Sequence, residues 1–94
     1  MIEEIREFVL SKQVLRSGTS IGANIIEATP AESRSDFIHK LSISLKESYE
    51  MEYWLNLLRD GGYITESQAS SLLEDCCELQ KILTASIKTA KSGK

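Results

Sequence analysis

Residues 15–37 read LRSGTSIGANIIEATPAESRSDF, and this stretch decides the fold. Its first half places apolar residues at helical spacing, and Thr29-Pro30 then ends the helix because the residue before a proline avoids helical backbone angles. Ser33 begins a second helix as its N-cap, and Asp36, three residues on, approximates the return bond of a capping box. The stretch therefore predicts two helices joined by a short break, the pattern of an all-α bundle.

The rest of the chain shows the same helical pattern. Apolar residues recur at three- and four-residue intervals, and no alternating run rich in Val, Ile and Thr indicates a strand. Gly61-Gly62 provides a positive-φ stop for the second helix, and Thr65 with Gln68 forms a capping box that opens a third. The sequence thus predicts three long helices, over residues 3–28, 33–60 and 65–88.

Apolar side chains on one side of each helix should form the core. Gly18 and Gly22 lower the helix propensity of the first helix, so a kink or break between Ser17 and Gly22 is predicted. Their small-xxx-small spacing also favours close packing of helices, within or between subunits. On the first helix the expected inward residues are Ile5, Phe8, Val9, Val14, Leu15, Ile21, Ile25 and Ile26. On the second they are Phe37, Ile38, Leu41, Leu45, Leu55 and Leu58.

Length and composition indicate one small domain spanning residues 1–94. With 94 residues, 41% of them hydrophobic and 27% charged, the chain can build only a thin core, which makes subunit association a natural source of further burial. Adjacent Cys76 and Cys77 are too few and too close for a disulfide scaffold. No stretch approaches the ~20 apolar residues of a membrane span, and the start lacks the pattern of a secretory signal. We therefore expect a cytoplasmic protein that does not enter a membrane.

The motifs of catalysis and metal binding are missing from the sequence. The chain has one histidine, His39, whereas a di-iron bundle requires two Glu-x-x-His pairs. Neither cysteine nor any serine can be paired from sequence with a histidine and an orienting acid. We expect no enzyme activity, no cofactor, no metal and no small-molecule substrate.

Net charge argues against strong nucleic-acid binding. The formal charge is -3, whereas phosphate neutralisation by Lys and Arg supplies most non-specific affinity for nucleic acids. An isolated chain should bind RNA or DNA only weakly at physiological salt unless basic residues gather on one face. The residues available for such a contact are Lys12, Lys40, Lys88 and Lys91.

An ordered set of residues resembles a known family. In the first block these are Arg16, Ser20, Ile21, Ala23, Asn24, Ile25, Glu27, Ser33, Arg34 and Phe37; in the second they are Glu50, Glu52, Arg59-Asp60 and Gly62-Tyr63. The set resembles the bacterial four-helix-bundle proteins encoded in intervening sequences of 23S ribosomal RNA genes, whose relatives include accessory proteins of diversity-generating retroelements. The resemblance implies an antiparallel up-down bundle and a ring-like homo-oligomer, a pentamer. Most of the family's first helix has no counterpart here, so a groove of apolar side chains is expected to stay open for another copy or a separate helix.

Polar residues at the matching positions form the candidate site. A buried or interfacial arginine needs a carboxylate, so we expect Arg16 to pair with Glu27, Glu50 or Glu52; burial of that pair would make Arg16→Ala cost about 3 to 5 kcal/mol. The favoured role of the set is an internal polar network or a subunit interface, and the alternative is a ligand or nucleic-acid contact. The set comprises Arg16, Asn24, Glu27, Glu50, Glu52 and Arg59.

The aromatic residues on the second helix also allow two interpretations, packing against protein or contact with nucleic acid. Tyr49, Tyr53 and Trp54 favour packing in a core or interface, and stacking on unpaired bases is the functional alternative. Two functions therefore remain: a non-catalytic, self-assembling scaffold or interaction module, which we favour, and an RNA- or DNA-binding accessory protein linked to ribosomal RNA insertions or to a retroelement reverse transcriptase. A separate partner protein is compatible with either function.

Overall fold

The structure, a computed structural model, describes residues 2–28 and 33–93. Those residues form three helices and no strand: α1 (Ile2–Ala28), α2 (Arg34–Asp60) and α3 (Glu66–Lys91). The all-α, three-helix prediction is confirmed: two of the six predicted helix ends are identical to the observed ones, and the other four differ by one to three residues.

Local side-chain chemistry sets the helix ends. Ser33 Oγ accepts from the Asp36 amide at 3.1 Å, but within the described residues Asp36 returns no bond, because its side chain is one methylene shorter than that of Glu or Gln. Thr65 and Gln68 form both bonds of the capping box, at 3.0 and 2.9 Å. Gly62 takes the positive φ of +78° that stops α2. The predicted break at Thr29-Pro30 lies outside the described residues.

Helix α2 is the centre of the fold. Both α1 and α3 pack on it, whereas no Cα atoms of α1 and α3 come within 8 Å of each other in the described part of the chain. Cross-helix contacts such as Ser44 to Ile21 and Cys76 to Ser48 run in antiparallel register. The molecule is accordingly elongated, with Cα extents of 51 × 21 × 14 Å.

The core combines leucines with small polar residues. Leu55 is 1% exposed, and a cluster of Ala28, Leu41, Leu83 and Ile87 joins the ends of all three helices. Ser44 is fully buried on α2 and its Oγ donates to the carbonyl oxygen of Ile21 at 3.0 Å. That bond satisfies a hydroxyl whose burial would otherwise be costly.

The predicted orientation of α1 is wrong for five of its apolar residues. Ile21 is buried, and Val14 and Ile25 are half-buried. A helix whose backbone packs on a single neighbour buries one stripe, so the residues on other sides remain in solvent. The exposed residues are Ile5, Phe8, Val9, Leu15 and Ile26.

The predicted break in α1 is also wrong. Helix α1 runs without interruption through Gly18 and Gly22, because two isolated glycines cost less than the tertiary contacts of the helix provide. A Cβ at Gly18 would lie 3.9 Å from Met51 Cε, an ordinary contact, and one at Gly22 would meet nothing within 4 Å. Packing inside the described subunit therefore requires neither glycine.

Candidate functional site

Arg16 joins the middle of α1 to the middle of α2. Its Nη2 donates to Glu50 Oε1 at 3.1 Å, and its Nη1 donates to Glu47 Oε2 at 3.3 Å. Gln13 on the preceding turn accepts from Arg16 Nε at 3.0 Å. The Arg16 side chain is 48% exposed and that of Glu47 only 14%. This cluster is a partly solvated clamp between two helices, not a buried ion pair.

We expect Arg16→Ala to lower the free energy of unfolding by about 1 kcal/mol, because exposed ion pairs are screened by solvent. Urea denaturation at one fixed protein concentration measures the change. Arg6→Ala is the matched control, since the carboxylate that pairs with Arg6 is Glu3 on its own helix, at 3.8 Å, and both side chains are mostly exposed. A loss of 3 kcal/mol or more for Arg16→Ala would contradict a solvated clamp and indicate that assembly buries the pair.

The other predicted polar residues do not join this cluster. Asn24 Nδ2 donates back to the Ser20 carbonyl on its own helix at 2.9 Å. Glu52 faces α3 and accepts from Gln80 at 3.0 Å, while Arg59 contacts its neighbour Asp60 at 3.3 Å. The predicted set is therefore spread over both helix pairs and forms no single network.

Glu27 pairs with Lys40, a contact that the sequence did not identify. Lys40 Nζ donates to Glu27 Oε1 at 2.9 Å. That hydrogen bond, and then the negative charge of Glu27, raises the pKa of Lys40 above its usual value. Lys40 was a predicted nucleic-acid contact, but its charge is already matched by a carboxylate.

An apolar stripe follows the outer side of α1, and we call it the α1 stripe. It consists of Ile5, Phe8, Leu15 and Ile26, whose exposed fractions are 60%, 62%, 70% and 74%. The spacing 5, 8, 12, 15, 19, 22, 26 alternates steps of three and four, which is the seam of a coiled-coil heptad. Lys12 occupies one seam position, with Nζ 5.6 Å from the centroid of the Phe8 ring. Exposed apolar residues aligned on one seam are typical of an interaction surface.

Charge is divided between the two ends of the long axis. The acidic end, residues 2–17 and 48–78, holds six more acidic than basic residues, whereas the basic end, residues 18–28, 33–47 and 79–93, holds three more basic than acidic residues. The antiparallel topology produces this separation, because it brings the lysine-rich end of α3 beside the start of α2. Lys88 and Lys91 are exposed at the basic end. The described residues therefore include a basic end although the net charge of the protein is negative.

Within residues 2–28 and 33–93, no group of three His, Cys, Asp or Glu side chains is arranged to hold a metal ion. None of the three described helices is both long and apolar enough to cross a membrane.

Comparison with known proteins identifies the family. The family model described as 23S rRNA-intervening sequence protein matches residues 1–85. Among solved structures, the chain is similar to a protein with unknown function from the S23 ribosomal protein family of Bacteroides thetaiotaomicron VPI-5482. The two are 59% identical, with a TM-score of 0.85, over 90% of this chain and 76% of that one. No curated protein matches. The chain therefore belongs to the 23S rRNA-intervening sequence protein family.

Proposed function

We propose that the protein is a non-catalytic scaffold that assembles with copies of itself through the α1 stripe. The observation that carries this proposal is the exposure of four large apolar residues on a single heptad seam. Each Å² of this apolar surface that a partner covers would stabilise the assembly by about 25 cal/mol. A small domain with a thin core gains most from such burial.

A ring of five copies is the assembly that we propose, on the basis of the family resemblance. A ring uses a different surface on each side of every subunit, so the α1 stripe needs a second apolar surface to face. Leu72 and Ile82 on α3, 40% and 60% exposed, are candidates for that surface. In this proposal the three helices are part of an up-down bundle of the four-helix type, and the α1 stripe of one copy packs against a neighbouring copy.

Light scattering coupled to size exclusion tests the assembly directly. At micromolar concentration we expect a mass several times that of the 10.5 kDa chain, and about five times for the ring. A monomer mass across the accessible concentration range would refute the scaffold proposal.

A second candidate function is a nucleic-acid-binding accessory protein, and the basic end favours it. Cyclic symmetry places the basic ends of all copies on one rim of a ring, which concentrates lysines although the net charge is negative. Positive clusters of this kind attract phosphates over a Debye length of about 8 Å at physiological salt. Assembly therefore increases attraction at one rim while it increases repulsion at the other.

Binding of structured RNA as a function of salt tests this second function. For the wild-type protein we expect weak affinity at about 150 mM salt that rises steeply as the salt is lowered, because counterion release governs phosphate contacts. Lys88→Glu with Lys91→Glu should abolish that rise. Arg6→Glu with Arg59→Glu is the control, since it reverses the same number of charges at the acidic end and lies outside the α1 stripe. An affinity independent of salt, or equal loss for both variants, would contradict a specific basic rim.

A further inference from the structure

An open groove of about 410 Å³ lies between α2 and α3. Tyr49 forms its α2 side, and Gln80, Lys81, Ala85 and Lys88 are among the residues that form its α3 side. Tyr49 is 52% exposed, so much of its side chain is open to solvent. No acidic residue lines the groove, and the two lysines make it positively charged.

The two lysines flank the groove along its length. Lys81 and Lys88 are seven residues apart on one helix, which places them two turns and about 10 Å from each other on the same side. Both are exposed. One polyanionic strand that follows α3 would meet both ammonium groups and would pass over Tyr49.

The acidic residues described near the groove either accept a hydrogen bond or lie toward the acidic end. Glu52 accepts a hydrogen bond from Gln80 at 3.0 Å, keeps its negative charge and does not line the groove. Glu74, Asp75 and Glu78 line a neighbouring groove together with Cys77 and Lys81, in the direction of the acidic end. On the other side, Lys46 is exposed one turn before Tyr49. The favourable path for a negatively charged strand therefore runs from the groove toward the basic end.

We propose that this groove binds single-stranded nucleic acid, with one base stacked on Tyr49 and neighbouring phosphates on Lys81 and Lys88. Aromatic rings in a positive groove are the usual means of binding unpaired strands, since every base offers a π-face. A duplex hides those faces, and an acidic peptide uses the lysines but gains nothing from the ring. The proposal depends on the second function above and specifies its ligand and its site.

Fluorescence anisotropy with a labelled 12-nucleotide oligo(U) at 50 mM salt tests this site. We expect Tyr49→Ala to weaken binding about tenfold, within the range found for loss of one stacked base, and Tyr49→Phe to retain it. Tyr53→Ala is the matched control: Tyr53 is 58% exposed one turn further along α2 but does not line the groove. The oligonucleotide should also bind more tightly than a blunt duplex of the same length.

The outcomes separate this site from the broader function. If Tyr49→Ala binds as well as the wild type while Lys88→Glu with Lys91→Glu does not bind, the groove proposal is wrong and the nucleic-acid function stands. If the wild type binds neither oligo(U) nor structured RNA at 50 mM salt, both are wrong. If oligo-glutamate binds more tightly than oligo(U), the groove is a site for acidic peptides and the proposal is overturned.

Discussion

Replacing Leu55 by alanine should lower the free energy of unfolding by about 2 to 5 kcal/mol, the range found when a buried leucine is truncated. Leu55 is 1% exposed and lies on α2, which packs on both other helices in the described part of the chain. Because Leu55 is almost completely buried, the cavity left by the truncation can close only if the surrounding side chains or helices move. Urea denaturation monitored by circular dichroism, at one protein concentration, measures the loss.

Two further variants distinguish core packing from a general effect of mutation. Leu55→Met preserves most of the volume and should cost less than about 1.5 kcal/mol; it also remains informative if Leu55→Ala fails to fold. Ile2→Ala removes an apolar side chain that is 74% exposed and should change stability by no more than about 0.5 kcal/mol. Equal losses for Leu55→Ala and Ile2→Ala would show that Leu55 is not a core residue.

The helices could be predicted from the sequence because their ends depend on local chemistry. Thr65 with Gln68, and Gly62 with its positive φ, act within four residues of the chain. The core of α2 was also predictable: Leu41, Leu55 and Leu58 lie on one side of a helix that has polar residues opposite.

The orientation of α1 could not be predicted, because periodicity counts apolar residues without revealing which side has a neighbour. Helix α1 carries apolar residues on two sides: Val14 and Ile21 on the inner one, and Phe8 and Leu15 on the outer one. The sequence cannot show that only one side meets another helix inside the subunit. The error is informative, since it identifies the exposed apolar surface on which the proposed assembly depends.

For the polar site, too, the type of partner could be predicted from the sequence but the particular residue could not. The need of Arg16 for a carboxylate follows from its charge, but the choice among Glu27, Glu50 and Glu52 depends on the register between α1 and α2. That register also places Glu47 beside Arg16, a contact that the sequence did not identify. The basic end, in contrast, left a signal in the sequence: residues 79–93 contain three lysines and no acidic residue. Only the structure shows that residues 79–93 lie close to the start of α2.

Introducing glutamate at both Phe8 and Leu15 should reduce the assembly to single chains of 10.5 kDa. Both side chains are mostly exposed in the subunit, so two carboxylates there cost the isolated fold little. In an assembled interface the two carboxylates would share one lysine, Lys12, so at least one of them would be buried without a partner, which costs several kcal/mol. Light scattering gives the mass, and an unchanged circular dichroism spectrum shows that the helices are retained. Ser42→Glu with Ser70→Glu is the matched control, since it adds the same two charges at exposed positions outside the α1 stripe and away from Leu72 and Ile82. We expect this control to keep the wild-type mass. An assembly that survives glutamate at Phe8 and Leu15 would have to form through another surface, and the α1 stripe would then carry no role in it.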